Sequence, residues 1–312
     1  MNAIIFPGQG SQVVGMGLEF YNNFEIVKKI FHTADQKLDF KISKLILEGP
    51  DNELKLTKNT QPAILTVSFA IFTVLKKEFN FDFEQTKFFA GHSLGEYSAL
   101  VSSNSLEFSD ALSLVYNRGQ AMQKAVPIGA GGMLAVLGQK ISDIENYLKN
   151  ISPGGICEIA NDNAEGQTIV SGNSQGIDEL KKLLIKNKKR TIPLSVSAPF
   201  HCSLMKPAAS QMEELINKTK FNVPSFEIIS NVTSLPIKDP KDIKKLLIQQ
   251  IFSSVKWRES IINISKNGVN NFFEIGPGKV LTGMVKRTLK DINCFSLNSI
   301  NDMKNIPDEF KK

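Results

Sequence analysis

Histidine and cysteine are scarce in this 312-residue sequence, at three each. Cys157, Cys202 and Cys294 are widely spaced and odd in number, so no disulfide framework is implied and a reducing compartment is expected. No two of His32, His92 and His201 are four apart, and no Cys-x-x-Cys occurs, which argues against a zinc site of sequence-local ligands. Arginine is rare too: only Arg118, Arg190, Arg258 and Arg287 among 37 basic residues. The net charge of +6 comes with no helix-turn-helix, RRM or zinc-finger signature, so nucleic-acid binding is a weak reading. A mildly basic surface suits a phosphate-bearing small molecule or an acidic protein partner equally well. No apolar run approaches the roughly 18–20 residues that span a bilayer. The start, Met-Asn-Ala-Ile-Ile-Phe-Pro-Gly, has no basic segment ahead of a long apolar one, so no signal peptide is read there. The expectation is a soluble cytoplasmic protein.

What is present is enough apolar material, 42% of residues, for a sizeable core. Short apolar runs at 2–6, 87–90 and 271–275 read as buried strands, and helical patterns follow near 18–33, 60–79, 95–102, 109–125, 204–217, 242–252, 257–267 and 279–289. Pro62 is expected in the first turn of its helix. Strands alternating with helices imply a parallel sheet covered on both faces. Pro127 and the glycines of 129–132 look like a linker. Beyond it the order β(133–137) α(142–149) β(155–160) β(167–171) α(174–186) β(189–194) is the split βαβ, ferredoxin-like unit. It reads as an insertion at 128–196 into a larger domain made of 1–127 and 197–312. The polar tail from Asn301 is expected to fray.

The strongest local signal is Gly91-His92-Ser93-Leu94-Gly95, a G-x-S-x-G between an expected strand and an expected helix. In that setting the turn lifts the Ser93 hydroxyl clear of the backbone, and the helix N-terminus favours developing negative charge. A serine needs a base to act as a nucleophile at neutral pH. His92 is too close on the turn and reads as packing, and His32 lies on an amphipathic helix. His201, in a loop between a strand and a helix, remains as the candidate base. Phe6-Pro7-Gly8-Gln9-Gly10-Ser11-Gln12 also leaves a strand. Its third glycine position holds Val13, so a dinucleotide site is poorly supported. A loop offering backbone N–H groups as half of an oxyanion hole is the alternative. Gly276-Pro277-Gly278-Lys279 lacks the Walker pattern and reads as a strand-to-helix turn. Cys202, beside His201, has no such turn and reads as filler.

Four segments occur in order: Phe6–Gln12, Gly91-His92-Ser93-Leu94-Gly95-Glu96-Tyr97-Ser98-Ala99-Leu100, Pro199-Phe200-His201 with Met205-Lys206-Pro207-Ala208, and Glu274-Ile275-Gly276-Pro277-Gly278-Lys279-Val280-Leu281. Together they resemble the malonyl-CoA:acyl-carrier-protein transacylase family of type II fatty-acid synthesis, over about residues 2–298. The resemblance implies an α/β-hydrolase-like core with an inserted ferredoxin-like subdomain. It implies Ser93 as nucleophile, His201 as base and then acid, and the backbone N–H groups of Gln9 and Leu94 as oxyanion hole. It also implies that the backbone carbonyl of Gln250 orients the histidine, with Gln249 as the neighbouring alternative, and that Arg118 clamps the substrate carboxylate. A planar guanidinium fits that last role because it binds carboxylate bidentately, which lysine cannot.

The implied substrates are malonyl-CoA and an acidic holo acyl carrier protein. A monomer with no metal or redox cofactor is expected. Asn161 and Asn163 resemble an asparagine-rich turn facing the cleft, with pantetheine contact or a plain turn as alternatives. Lys189 and Arg190 could meet CoA phosphates, and Lys286 and Arg287 the carrier; solvated charge is the competing reading for each. Two rival functions share the motifs: a serine hydrolase or thioesterase, and a non-catalytic carrier-binding protein. A hydrolase usually carries its histidine near the C-terminus with an acid before it, whereas a long stretch of chain follows His201 here.

Overall fold

A computed structural model describes residues 1–196 and 198–312. Ser197, on which one expected domain boundary falls, lies outside the described residues. The described residues form two sheets. The larger contains β1 (Asn2–Phe6), β2 (Thr86–Gly91) and, from further along the chain, strands Glu227–Ile229, Pro236–Ile237, Asn271–Ile275 and Asn293–Leu297. The smaller contains β3 (Gly131–Leu137), β4 (Cys157–Ala164), β5 (Gln167–Asn173) and β6 (Arg190–Pro193). Numbering the later strands β7 to β10 in chain order, the large sheet runs β10-β9-β1-β2-β7-β8. All its pairs are parallel except β7 with β8.

Side-chain alternation shows why this sheet is buried on both faces. In β1, Ile4 and Phe6 point to one core, which includes Phe89, Phe273 and Ile275. Ala3 and Ile5 point to the other, which includes Phe88, Phe272, Trp257, Ile261 and Leu281. Each face is covered by helices, the first chiefly by the long helix Thr57–Glu78 and the second by Trp257–Lys266 and Val280–Thr288. Neighbouring strands that are apolar on both faces belong in a parallel sheet between helix layers.

The small sheet has the order β4-β5-β3-β6 and is antiparallel throughout. Leu134, Val136 and Val170 on one face pack with Leu180 and Leu184 of helix Ser174–Lys186 and Ile144 of helix Ile141–Leu148. Met133, Ala135, Ala160 and Ile169 on the other face join the main core. Backbone bonds from Val255 N to Ala160 O and from Asp162 N to Val255 O, at 2.8 and 3.0 Å, tie β4 to the larger body. Arg258 adds a half-buried pair with Asp162, its Nη2 2.9 Å from Oδ2.

Several expectations need correction. The long helix begins at Thr57, so Pro62 lies beyond its first turn. Gly131 and Gly132 open β3 rather than forming linker. Asn161 and Asn163 sit within β4, not in a turn. The segment near 18–33 is two helices, Leu18–Asn23 and Glu25–Leu38, separated by Phe24 in an extended conformation. The tail does not fray: Met303, Ile306 and Phe310 are buried. The Phe310 ring lies 5.1 Å from Phe273 and 5.5 Å from Phe295. Strands β7, β8 and β10 had no sequence expectation. Among the described residues, no helix is long and apolar enough to cross a membrane.

Candidate active site

Only His92, Ser93 and Leu94 separate β2 from helix Gly95–Ser102. Ser93 takes φ 54°, a left-handed conformation that costs a non-glycine residue about 1–2 kcal/mol. The flanking glycines make the turn possible. A Cβ on Gly91 would lie 1.9 Å from the Gly95 carbonyl carbon, and one on Gly95 would lie 2.3 Å from the Phe6 carbonyl oxygen. Asn231, just beyond β7, clamps the turn: its Oδ1 accepts from Ser93 N and its Nδ2 donates to Gly91 O, both at 2.7 Å.

His201 lies between β6 and helix Lys206–Lys218, itself at φ 59° and buried. Its Nε2 is 2.7 Å from Ser93 Oγ, and its Nδ1 is 2.8 Å from the backbone carbonyl oxygen of Gln250. The carbonyl facing the ring is thus that of Gln250, not Gln249. A carbonyl only accepts, so Nδ1 carries the hydrogen and Nε2 is the bare nitrogen. Ser93 then donates its hydroxyl proton to Nε2. Burial, with the Arg118 charge second, pushes the His201 pKa down to about 3, so the imidazole is neutral near pH 7 and able to take a proton.

Arg118, on helix Phe108–Lys124, is 1% exposed. Its Nη1 donates to Gln61 Oε1 at 2.8 Å, and its Nη2 donates to Gln250 Oε1 at 2.9 Å and to Ser93 Oγ at 3.1 Å. Its partners are amide and hydroxyl oxygens, and among the described residues it forms no ion pair within 4 Å. A buried guanidinium without a direct counter-ion is costly and favours an arriving anion. The nearest acid in the network is Glu96, buried in the first turn of helix Gly95–Ser102. Its Oε2 accepts from Gln250 Nε2 at 2.8 Å and from Asn231 N at 3.2 Å. Burial pushes its pKa up to about 7, against the pull of those hydrogen bonds.

Gln9, Ser93, Leu94, Arg118, Asn161 and His201 line one cavity of about 100 Å³. Gln9 also donates from Nε2 to Thr57 Oγ1 at 3.3 Å. Asn163 lies behind this wall, its Oδ1 2.7 Å from His92 Nε2, while the His92 ring meets Trp257 edge-on. Lys189, Arg190, Lys286 and Arg287 do not line the cavity. Arg190 and Lys286 are exposed, and Arg287 donates to Gln167 Oε1 at 2.6 Å, joining helix Val280–Thr288 to β5. Cys202 is buried with its thiol donating to Pro199 O, and burial pushes its pKa up.

Sequence reasoning did not assign Gln61, Asn231 or Glu96 to the site. Glu96 left a signal, a lone acid in an otherwise uncharged helix start. Asn231 left none, because only the fold brings it to Ser93.

The family model for the acyl transferase domain matches residues 3–309. A malonyl CoA-acyl carrier protein transacylase of Bacillus subtilis is 42% identical, covering 95% of this chain and 93% of its own. The crystal structure of an acyl-carrier-protein S-malonyltransferase from Bartonella henselae superposes with TM-score 0.94 at 40% identity, over 97% of both chains. A malonyl-transacylase solved in complex with a type II polyketide acyl-carrier protein gives TM-score 0.94 at 35% identity, again over 97% of both chains. With a serine–histidine pair held beside a buried arginine and this agreement along its whole length, the chain belongs to the malonyl-CoA:acyl-carrier-protein transacylase family of acyltransferases.

Proposed function

We propose that the protein carries a malonyl group from malonyl-CoA to the phosphopantetheine thiol of an acyl carrier protein, supplying fatty-acid synthesis. The observation that carries this reading is the Arg118 guanidinium, buried without a direct counter-ion and donating to the same hydroxyl that meets His201. Ser93 Oγ attacks the thioester carbonyl while its proton passes to His201 Nε2. The backbone N–H groups of Gln9 and Leu94 hold the tetrahedral oxyanion. The intermediate collapses, the C–S bond breaks, and the CoA sulfur leaves with the proton from His201. The Gln250 carbonyl keeps the ring in the required tautomer and accepts from the imidazolium as charge develops. The carrier thiol then gives its proton to His201 and attacks the Ser93 ester, and Ser93 recovers the proton as it leaves. No step in this scheme calls for a metal or redox group.

Arg118 supplies selectivity. Malonyl differs from acetyl by a carboxylate one methylene beyond the ester carbonyl, within the reach of a guanidinium already at Ser93 Oγ. Acetyl would leave that charge without its anion, a difference of about a hundredfold or more in rate. Asn161, in the cavity wall, is the natural contact for a pantetheine arm, and Asn163 supports it through His92. Half-buried Lys189 and the exposed Arg190, Lys286 and Arg287 offer charge to CoA phosphates or an acidic carrier outside the cavity.

The βαββαβ element order and the β4-β5-β3-β6 sheet support naming 128–196 a ferredoxin-like subdomain. The flanking segments 1–127 and 197–312 then form an α/β-hydrolase-like core, with Ser93 on its nucleophile turn. One chain builds the whole cleft, so a monomer suffices, and three free thiols accord with the cytoplasm. Initial rates test the two-step scheme. Varying malonyl-CoA at several carrier concentrations should give parallel double-reciprocal lines, whereas intersecting lines would point to direct transfer in a ternary complex.

A further inference from the structure

Gln250 touches His201, Arg118 and the backbone of Ser93. Its backbone carbonyl faces His201 Nδ1, its Oε1 accepts from Arg118 Nη2, and its Nε2 donates to Ser93 O at 3.0 Å. The side-chain amide could in principle sit either way round, since its two ends have nearly the same shape. Turned over, it would present an NH2 group to the Arg118 guanidinium, which also only donates. Glu96 Oε2, 2.8 Å from Nε2, is the nearer of two acceptors on that side and, with Ser93 O, selects the working orientation. The same Oε2 accepts from Asn231 N, and Asn231 clamps the Ser93 turn, so the carboxylate is held by the element it serves.

We propose that Glu96 is a positioning residue for acyl selectivity: it fixes the Gln250 amide, and through it aims the Arg118 guanidinium at the acyl group on Ser93. This rests on the reading of Arg118 as the malonyl clamp. Glu96 does not line the cavity and reaches it only through Gln250 and Asn231. Its carboxyl lies one amide away from the arginine, and in its ionised form it makes an ion pair bridged by a neutral group. A direct Glu–Arg contact would quench the clamp, because the substrate carboxylate would then have to displace a buried carboxylate. The bridge leaves guanidinium N–H groups free to turn to substrate while still compensating the charge.

The test compares acyl-enzyme formation from malonyl-CoA and acetyl-CoA, as kcat/KM, in wild type, Glu96→Met, Glu96→Gln and Gln250→Met. Glu96→Met removes the acceptor, and the malonyl-to-acetyl ratio should fall about tenfold, mainly through a higher KM for malonyl-CoA. Glu96→Gln can place its Oε1 where the Oε2 acceptor was and should restore the ratio to within about threefold of wild type. Gln250→Met keeps the backbone carbonyl but loses the bridge; it should match Glu96→Met, and the double variant should fall no further. Variants that slow malonyl and acetyl transfer equally, leaving the ratio unchanged, would overturn the proposal and leave Glu96 a packing residue. Should Glu96→Met fail to fold, an unchanged ratio in Gln250→Met overturns it by itself. A wild-type enzyme with no malonyl preference would instead overturn the reading of Arg118, and this inference with it.

Discussion

Arg118 acts on the site in two ways, and one substitution separates them. Replacing it with methionine removes the anion clamp, so kcat/KM for malonyl-CoA should fall about a hundredfold or more while acetyl-CoA changes far less. The charge of Arg118 also helps push the His201 pKa down to about 3. Without it, the imidazole binds a proton more readily, so its pKa must rise. In wild type the base is neutral and the acetyl-CoA acylation rate should stay flat from about pH 8 to about pH 5. In Arg118→Met the acid limb should move to higher pH, toward the unperturbed histidine value of about 6.5. A limb that stays or moves lower, measured with acetyl-CoA so that the lost clamp does not intrude, would show that the charge does not reach the ring. The sequence disclosed Ser93 through its glycines and His201 through the shortage of alternatives. It did not disclose Gln61 or Asn231, since an amide in a polar segment carries no local mark of what it will face.

At the level of elements, legibility followed periodicity. β1, β2 and β9 are apolar on both faces and bounded by loops, so a parallel sheet between helices could be read directly. β7 and β8 are three and two residues long, too short for any alternation to show. The asparagines of β4 read as a turn because their side chains are polar. Yet Asn161 is paired there and faces the cavity, and a functional strand need not look like a structural one. The tail was misread from its average polarity. Met303, Ile306 and Phe310 recur three and four residues apart and join the main core, the Phe310 ring lying against Phe273 of β9 and Phe295 of β10. Phe310→Ala should therefore destabilise the protein by about 3 kcal/mol, the low end for a buried phenylalanine since a terminus can relax. Chemical denaturation measures it; a change within about 0.5 kcal/mol, the range of an ordinary surface site, would mean the tail adds nothing.

Across the whole molecule, the two sheets contribute different things to one cleft. The parallel sheet supplies Ser93 and the Gln9 loop at the carboxyl ends of β2 and β1, where open α/β sheets place their ligands. The antiparallel sheet supplies Asn161, and the chain returning from β6 supplies His201. The small sheet shares the main core and is hydrogen-bonded to it through Val255, so the cleft wall and the nucleophile are held in one packed body. The measurement that tests the central claim most directly is the intact mass of the protein after brief exposure to malonyl-CoA, then to a holo acyl carrier protein. A malonyl adduct on Ser93 that persists in buffer and discharges to the carrier is the predicted result. An adduct that water removes as fast as the carrier does would make the protein a hydrolase. No adduct at all would contradict the acyl-serine account.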